Sequence, residues 1–401
     1  MSTEDQIRML ADRFVAWQSP YGRPDPETCP FVTTDSLTTC TQFHSPSFMA
    51  IGLYRAYEAT GEIAYKAAAD RYVTFYMAAL RNPPADLDDY SLAWDNYMTA
   101  KEGASETRRK WSRHIMAWPF LYGMALAAFG EFRRHNPAEH GLDAAAAALY
   151  EWLLCWRWDE GSYFRNGYGV DALGIEDSAN SDDLCHMGRG LMAYHEVTGS
   201  VAALGDAEGL AQYYLTEAEP GSYVGCWSSS LAAWVVAPTV AASFEHIEGV
   251  KSHETSWGFS SVGSIDYLTR LAVATDDDDL RNRVAEKCAA SMRWHFDACQ
   301  FDDGACGMTG RDDKWLGQTA GAILSYLRVR DAGMLTAADA TRYRERALMA
   351  RDWLLDSLTP ETIDAGGYFP ITGKSEPRPP ENLAWMLGWV LELLPRLEQL
   401  A

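Results

Sequence analysis

Asn180-Ser181-Asp182-Asp183-Leu184-Cys185-His186-Met187-Gly188-Arg189-Gly190-Leu191 continues through Met192-Ala193-Tyr194-His195-Glu196-Val197-Thr198-Gly199. The stretch reads as one helix. A Ser and two carboxylates stand at its start, where unpaired N–H groups and the positive end of the helix dipole favour acceptors and negative charge. Gly199 stands where such a helix stops. Capping accounts for one of the two acids. His186 lies three residues after Asp183 and Arg189 three after His186, so all three can share one face. A long loop rich in Gly and aromatics, Asp159 to Ser178, leads into the acidic start. The layout of loop, polar helix start and Thr-Gly or equivalent stop recurs along the chain.

Outward from this stretch, the same unit can be read five more times. His44 to Gly61 is a helix with Pro46 in its first turn and Gly61 at its end, and Ile63 to Leu80 answers it. Helix Trp111 to Phe132 pairs with Leu142 to Trp156, and Asp183 to Val197 with Ala207 to Glu217. Trp257 to Ala272 pairs with Asp279 to Cys299, and Lys314 to Arg330 with Ala337 to Ser357. A last helix, Glu381 to Leu394, should end at Pro395. Ile7 to Trp17 is amphipathic, and the apolar stretch Trp227 to His246 is the least regular. Helices that follow long loops begin near 44, 111, 184, 258, 315 and 381, spaced by roughly 57 to 74 residues, which indicates a repeat architecture. Strand signals are scarce. Gly123-Met124-Ala125-Leu126-Ala127-Ala128 and Gln318-Thr319-Ala320-Gly321-Ala322-Ile323-Leu324 have the small, apolar character of helices inside a closed ring. The expected fold is all-α: an (α/α)6 toroid of six helical hairpins forming one domain over 1–401, with the long loops making a funnel at one end.

Composition narrows the function. The chain has 401 residues, 47% hydrophobic, with 56 acidic against 34 basic side chains and a formal charge of −22. That balance argues against nucleic acid and anionic membranes as partners. An anionic substrate would have to be held by a few local cations. The amino terminus has no apolar run typical of a secretory signal, and no stretch approaches a transmembrane length, so a cytoplasmic protein is expected. The 8 cysteines form no C-x-x-C, which suits buried thiols in a reducing compartment. No metal-ligand spacing, nucleophile elbow or phosphate loop is present, so neither a metal nor a cofactor is expected. The partner is a small molecule or an oligosaccharide, and a homo-oligomer is open.

In a toroid the cavity is lined by the starts of the inner helices and the loops before them. This selects His44, Asp95, His114 and Trp118, then Asp182, Asp183, His186 and Arg189, then His253 and Trp257, and finally Lys314 and Trp315. Trp118, Trp257 and Trp315 each stand near the start of a different inner helix, as stacking platforms for sugar rings or as wedges holding the loops to the rim. Paired carboxylates suit hydrolysis of an acetal or enol ether, one protonated to donate and one ionised. Asp182 and Asp183 point different ways, so at most one is the acid. Asp302-Asp303-Gly304 reads first as a turn. Asp312-Asp313 reads as the cap of the helix at 314, and Asp276 to Asp279 as a solvated outer turn.

Three stretches together resemble the six-hairpin sugar-active superfamily, especially the unsaturated glucuronyl and rhamnogalacturonyl hydrolases. Asp182 to Met187, running on to Val197-Thr198-Gly199, is similar to the family's Asp-x-Leu-x-Met helix, with Met one place later. Trp257-Gly258-Phe259-Ser260-Ser261-Val262-Gly263 looks like its Trp-Gly-Arg-Gly-Asn-Gly-Trp start, without the Arg and the second Trp. Gly317-Gln318-Thr319-Ala320-Gly321 echoes its Ser-Gly-Thr-Ala helix. The resemblance implies that Asp183 or Asp182 is the general acid/base acting on an unsaturated uronide, with His186 beside it and Asp95 as candidate second carboxylate. His114, His186, Arg189, His253 and Lys314 would be the local cationic and hydrogen-bonding set. The expected activity is hydrolysis of short uronic-acid-containing oligosaccharides. Related toroids supply alternatives: a lyase or epimerase using His and Tyr, a hydro-lyase/isomerase on a small terpene-like alcohol using Cys185, and a non-catalytic sugar-binding toroid.

Overall fold

The computed structural model of the chain describes residues 1–20, 22, 24–25, 28–30, 45–80, 119–154, 181–218, 225–235, 258–308, 310–311, 313–371 and 386–400. In chain order these form α1 (Thr3–Ala16), α2 (Ser45–Thr60), α3 (Ile63–Leu80), α4 (Pro119–His135), α5 (Asp143–Leu154), α6 (Ser181–Thr198) and α7 (Val201–Leu215). Then come β1 (Trp227–Ser228), β2 (Ala233–Trp234), α8 (Gly258–Ala274), α9 (Asp278–Cys299), β3 (Asp313–Trp315), α10 (Leu316–Asp331), α11 (Ala337–Ser357), α12 (Pro360–Asp364), β4 (Tyr368–Pro370) and α13 (Leu387–Leu393), with a 3-10 turn over Leu394–Leu400.

Six of these helices close into an inner ring. α2 packs on α4, α4 on α6, α6 on α8, α8 on α10, α10 on α13, and α13 returns to α2. Outside them, α3, α5, α7, α9 and α11 each back the inner helix that precedes them, and α1 packs on α2 and α13 to complete the outer layer. This is the (α/α)6 toroid expected from the repeat. The two short antiparallel ladders, β1 with β2 and β3 with β4, are the strands among the described residues. They sit at the starts of inner helices: the Ser181 hydroxyl donates to the Val235 carbonyl (2.7 Å), and the Leu316 amide donates to the Gly367 carbonyl (2.8 Å).

The other end is built from short turns that share one chemistry. Thr60 and Thr198 each donate a hydroxyl to the carbonyl four residues back and accept from the amide two residues on. Gly61 and Gly199 follow at φ +70° and +72°, the left-handed cap that a Cβ disfavours. Asp277, in the acidic run read as a solvated outer turn, caps α9 through the amides of Asp279 and Leu280.

Some boundaries differ from expectation, and α7 opens six residues before the expected Ala207, at Val201, where Ser200 caps it. Asp313 does not cap a helix: it lies in β3, buried, where its carboxylate accepts from the Met308 amide (3.4 Å), and the helix starts after Trp315. Pro395 ends α-geometry but not the helix, since the tighter 3-10 turn carries on to Leu400. Asp303 turns on Gly304 (φ +100°).

Candidate functional site

The wall of the ring centres on α6. The start of α6 is clamped from two sides, by Ser181 on Val235 and by the Tyr214 hydroxyl donating to the Ser181 carbonyl (2.7 Å). Asp183, His186 and Arg189 follow at helical intervals, and all three are buried. The His186 ring meets Phe48 of α2 edge-on at 5.7 Å and Phe120 of α4 at 6.4 Å. Arg189 reaches across to Asp266 of α8, Nε to Oδ2 at 2.5 Å. The contacts of His186 and Arg189 with α2, α4 and α8 mean that this face of α6 is turned towards the axis of the ring.

Arg189 also stands 3.5 Å from His186 Nδ1 and 5.3 Å over the Phe48 ring. Its guanidinium thus holds Asp266, His186 and Phe48 in one buried arrangement. Asp266 in turn takes Arg328 of α10 (3.1 Å), and Arg328 takes Glu392 of α13 (2.7 Å). Burial alone would raise the Asp266 pKa. Arg328, then Arg189 and Arg270, reverse this and hold it well below the usual carboxylate range.

A second polar group lies at the start of α8. His295, fully buried on α9, has no hydrogen-bond partner at either ring nitrogen, and Gln318 Oε1 of α10 has none either. Both atoms approach Gly258, where a Cβ would stand 2.8 Å from His295 Nε2. Burial pushes the His295 pKa down to about 4, so the ring is neutral near neutral pH.

The structure sets Asp183, His186 and Arg189 at helical intervals on α6, with His186 beside Arg189, and places the other described candidates elsewhere. Lys314 points out of the β3 ladder, bound to Asp303 and 5.1 Å over the Phe301 ring. Trp315 is buried, its ring 4.3 Å from that of Tyr368, so it wedges β3 and β4 to the rim and presents no open face. The Cys185 thiol is buried against α8, where a Cβ on Gly263 would collide with it. Asp182 lies in α6, with its side chain outside the described residues, and His44, Asp95, His114, Trp118, His253 and Trp257 lie outside them altogether. Among the described residues no group of three or more His, Cys, Asp or Glu side chains is placed to hold a metal ion, and no helix is long and apolar enough to cross a membrane.

Sequence reading missed Phe48, Asp266, Arg328 and Glu392. A signal existed for the last three: a charge within an otherwise apolar inner helix must find an opposite charge on a neighbour.

No protein-family model matches the chain, and no curated protein matches it in sequence. Solved structures do match in fold. A glycosyl hydrolase of family 88 from Bacteroides vulgatus is similar over 100% of both chains, at 11% identity and a TM-score of 0.59. A sugar epimerase from a ruminal bacterium is similar over 99% of both, at 12% identity and a TM-score of 0.63. A polysaccharide lyase is similar over 89% of this chain and 91% of its own, at 12% identity and a TM-score of 0.54. At these identities the likeness shows the fold: this chain has the six-hairpin toroid that such enzymes share.

Proposed function

We propose that the protein is a carbohydrate-active enzyme that hydrolyses short uronic-acid-containing oligosaccharides, with Asp183 as general acid/base. The observation that carries the reading is the buried stripe Asp183–His186–Arg189 at the start of an inner helix, facing the axis of the ring. The fold shared with a glycosyl hydrolase of family 88 supports a carbohydrate-active enzyme. In the protonated form Asp183 gives its proton to the substrate as the glycosidic or enol-ether bond is broken. As a carboxylate it then takes a proton from the water that adds, so that it ends as it began. His186, fixed by Phe48, Phe120 and Arg189, is a hydrogen-bonding neighbour to the sugar.

The test is a panel of short oligosaccharides with an unsaturated uronic acid at the non-reducing end. Loss of the ultraviolet absorbance of the conjugated double bond is followed alongside release of reducing ends. Asp183→Asn should lower kcat by about 10²–10⁴-fold with an unchanged unfolding curve. Retained activity would sink the assignment.

A second reading, a lyase or epimerase in which His186 removes the proton alpha to a carboxylate, is favoured by the burial of His186 against Arg189. It predicts rising absorbance for elimination, or isomerised sugar without new reducing ends, and loss of activity in His186→Gln.

A further inference from the structure

The short-turn end of the ring holds a cavity of about 510 Å³, at the opposite end from the starts of the inner helices. One arginine reaches it from each element of the ring: Arg55 from α2, Arg134 from α4, Arg189 from α6, Arg270 from α8, Arg328 from α10 and Arg396 from the turn after α13. Four carboxylates, from Glu58, Glu131, Asp266 and Glu392, share the lining with these six arginines. Six guanidinium groups lining one cavity are unexpected in a chain with a formal charge of −22, even with Glu196 and Asp331 beside it pairing with Arg134, Arg270 and Arg396. Cations do favour the negative end of helix dipoles, which accounts for arginines near these helix ends. It does not account for their convergence on one space.

Two atoms in the lining are left without partners. Arg328 Nη1 donates to nothing, although its Nε and Nη2 are bound by Asp266 and Glu392. Glu131 Oε2 accepts from nothing, although Oε1 takes both Arg55 (2.8 Å) and Arg134 (2.5 Å). A buried donor or acceptor without a partner is costly, and in a cavity of ligand size it marks a place that a ligand can satisfy. Arg396 adds to this. It pairs with Asp331 at 3.2 Å, and burial first, then Arg328, press its pKa down against the opposing pull of Glu392 and Asp331.

We propose that this cavity binds a phosphorylated sugar or polyol, with the arginine forks holding the phosphoryl oxygens and the free carboxylate oxygen of Glu131 accepting from a hydroxyl. Guanidinium groups converging from several helices match the several oxygens of a phosphoryl group better than one planar carboxylate. The volume exceeds what phosphate fills and falls within the range of small-molecule pockets, about 300–1,000 Å³. The carboxylates of the lining repel a bare polyanion but suit hydroxyls. The site shares Arg189 with the Asp183–His186–Arg189 stripe but does not use Asp183, and it stands whether or not that reading does.

Calorimetric titration of the whole protein with glucose 6-phosphate, glucose and inorganic phosphate tests the proposal. Glucose 6-phosphate should bind, inorganic phosphate should bind more weakly by about tenfold, and glucose should give no heat. Arg396→Gln and Arg134→Gln should each weaken glucose 6-phosphate by about tenfold or more with unchanged unfolding curves. Both variants leave each acid a partner: Asp331 keeps Arg330, Glu196 keeps Arg270, and Glu131 keeps Arg55. Inorganic phosphate binding as tightly as the sugar phosphate would overturn the sugar part and leave a free-phosphate site. No binding up to about 10 mM, or binding indifferent to both substitutions, would overturn the site itself.

Discussion

At the scale of the residue, His295 is the most exposed to test. Its ring is fully buried with no hydrogen-bond partner, and burial sets its pKa at about 4. In the unfolded chain a histidine titrates near about 6.5. Between these values the unfolded chain binds a proton that the folded chain refuses, so stability rises with pH across that window and is lost as pH falls through it. The whole span is on the order of 3 kcal/mol. Urea denaturation between about pH 4 and pH 6.5 should show a steeper rise in stability for the native chain than for His295→Leu. Equal slopes would mean that the folded ring takes up a proton. Nothing in the sequence marked His295, because its surroundings come from α8 and α10, distant in the chain. Asp183, His186 and Arg189 were legible, because their grouping needs only the helical period. What Arg189 binds was not, since Asp266 lies on another helix.

At the scale of the element, the inner ring holds together through helices that touch backbone to backbone. α4 meets α6 where a Cβ on Gly123 would strike the His186 carbonyl and one on Gly190 would strike the Gly123 carbonyl. Glycine costs a helix about 1 kcal/mol relative to alanine, so Gly190→Ala gains that much in propensity. The collision with unyielding backbone outweighs it, and Gly190→Ala should destabilise by about 1–3 kcal/mol. Gly205 in α7 has nothing within 4 Å of its would-be Cβ, so Gly205→Ala should stabilise by about 0.5–1 kcal/mol. The two unfolding midpoints should move in opposite directions. A stabilised Gly190→Ala would show that the two helices can part without cost. The small-residue stretches announced these contacts in the sequence, and the Thr-Gly stops announced the turns. Strand β3 was hidden, because Asp313-Lys314-Trp315 is too short for a period and pairs with Tyr368 to Pro370, far along the chain.

At the scale of the whole molecule, the ring is closed by contacts that no local pattern contains: α13 on α2, and α1 from the far end of the chain over both. Six-fold repetition made the closure readable, while the charges inside it had to be found. From His186 through Arg189, Asp266 and Arg328 to Glu392, a buried chain of polar groups joins α6, α8, α10 and α13. Asp266 is its pivot, serving two arginines at once. Removing one partner from a buried ionic group costs about 3–5 kcal/mol, because the charges left behind remain desolvated. Asp266→Asn should therefore lower stability near neutral pH by about that amount. The pH dependence follows from the direction of the shift. The folded carboxyl titrates below its ordinary value of 3.8, so its contribution is complete above that value and erodes as pH falls towards the folded one. The asparagine variant has no such group to lose. Urea midpoints of the two proteins, measured from about pH 7 down to about pH 3, should stay apart to about pH 4 and begin to draw together below it. Curves that stay parallel would mean that Asp266 is not ionised inside the ring, and that the arginines converging there are held by something other than its charge.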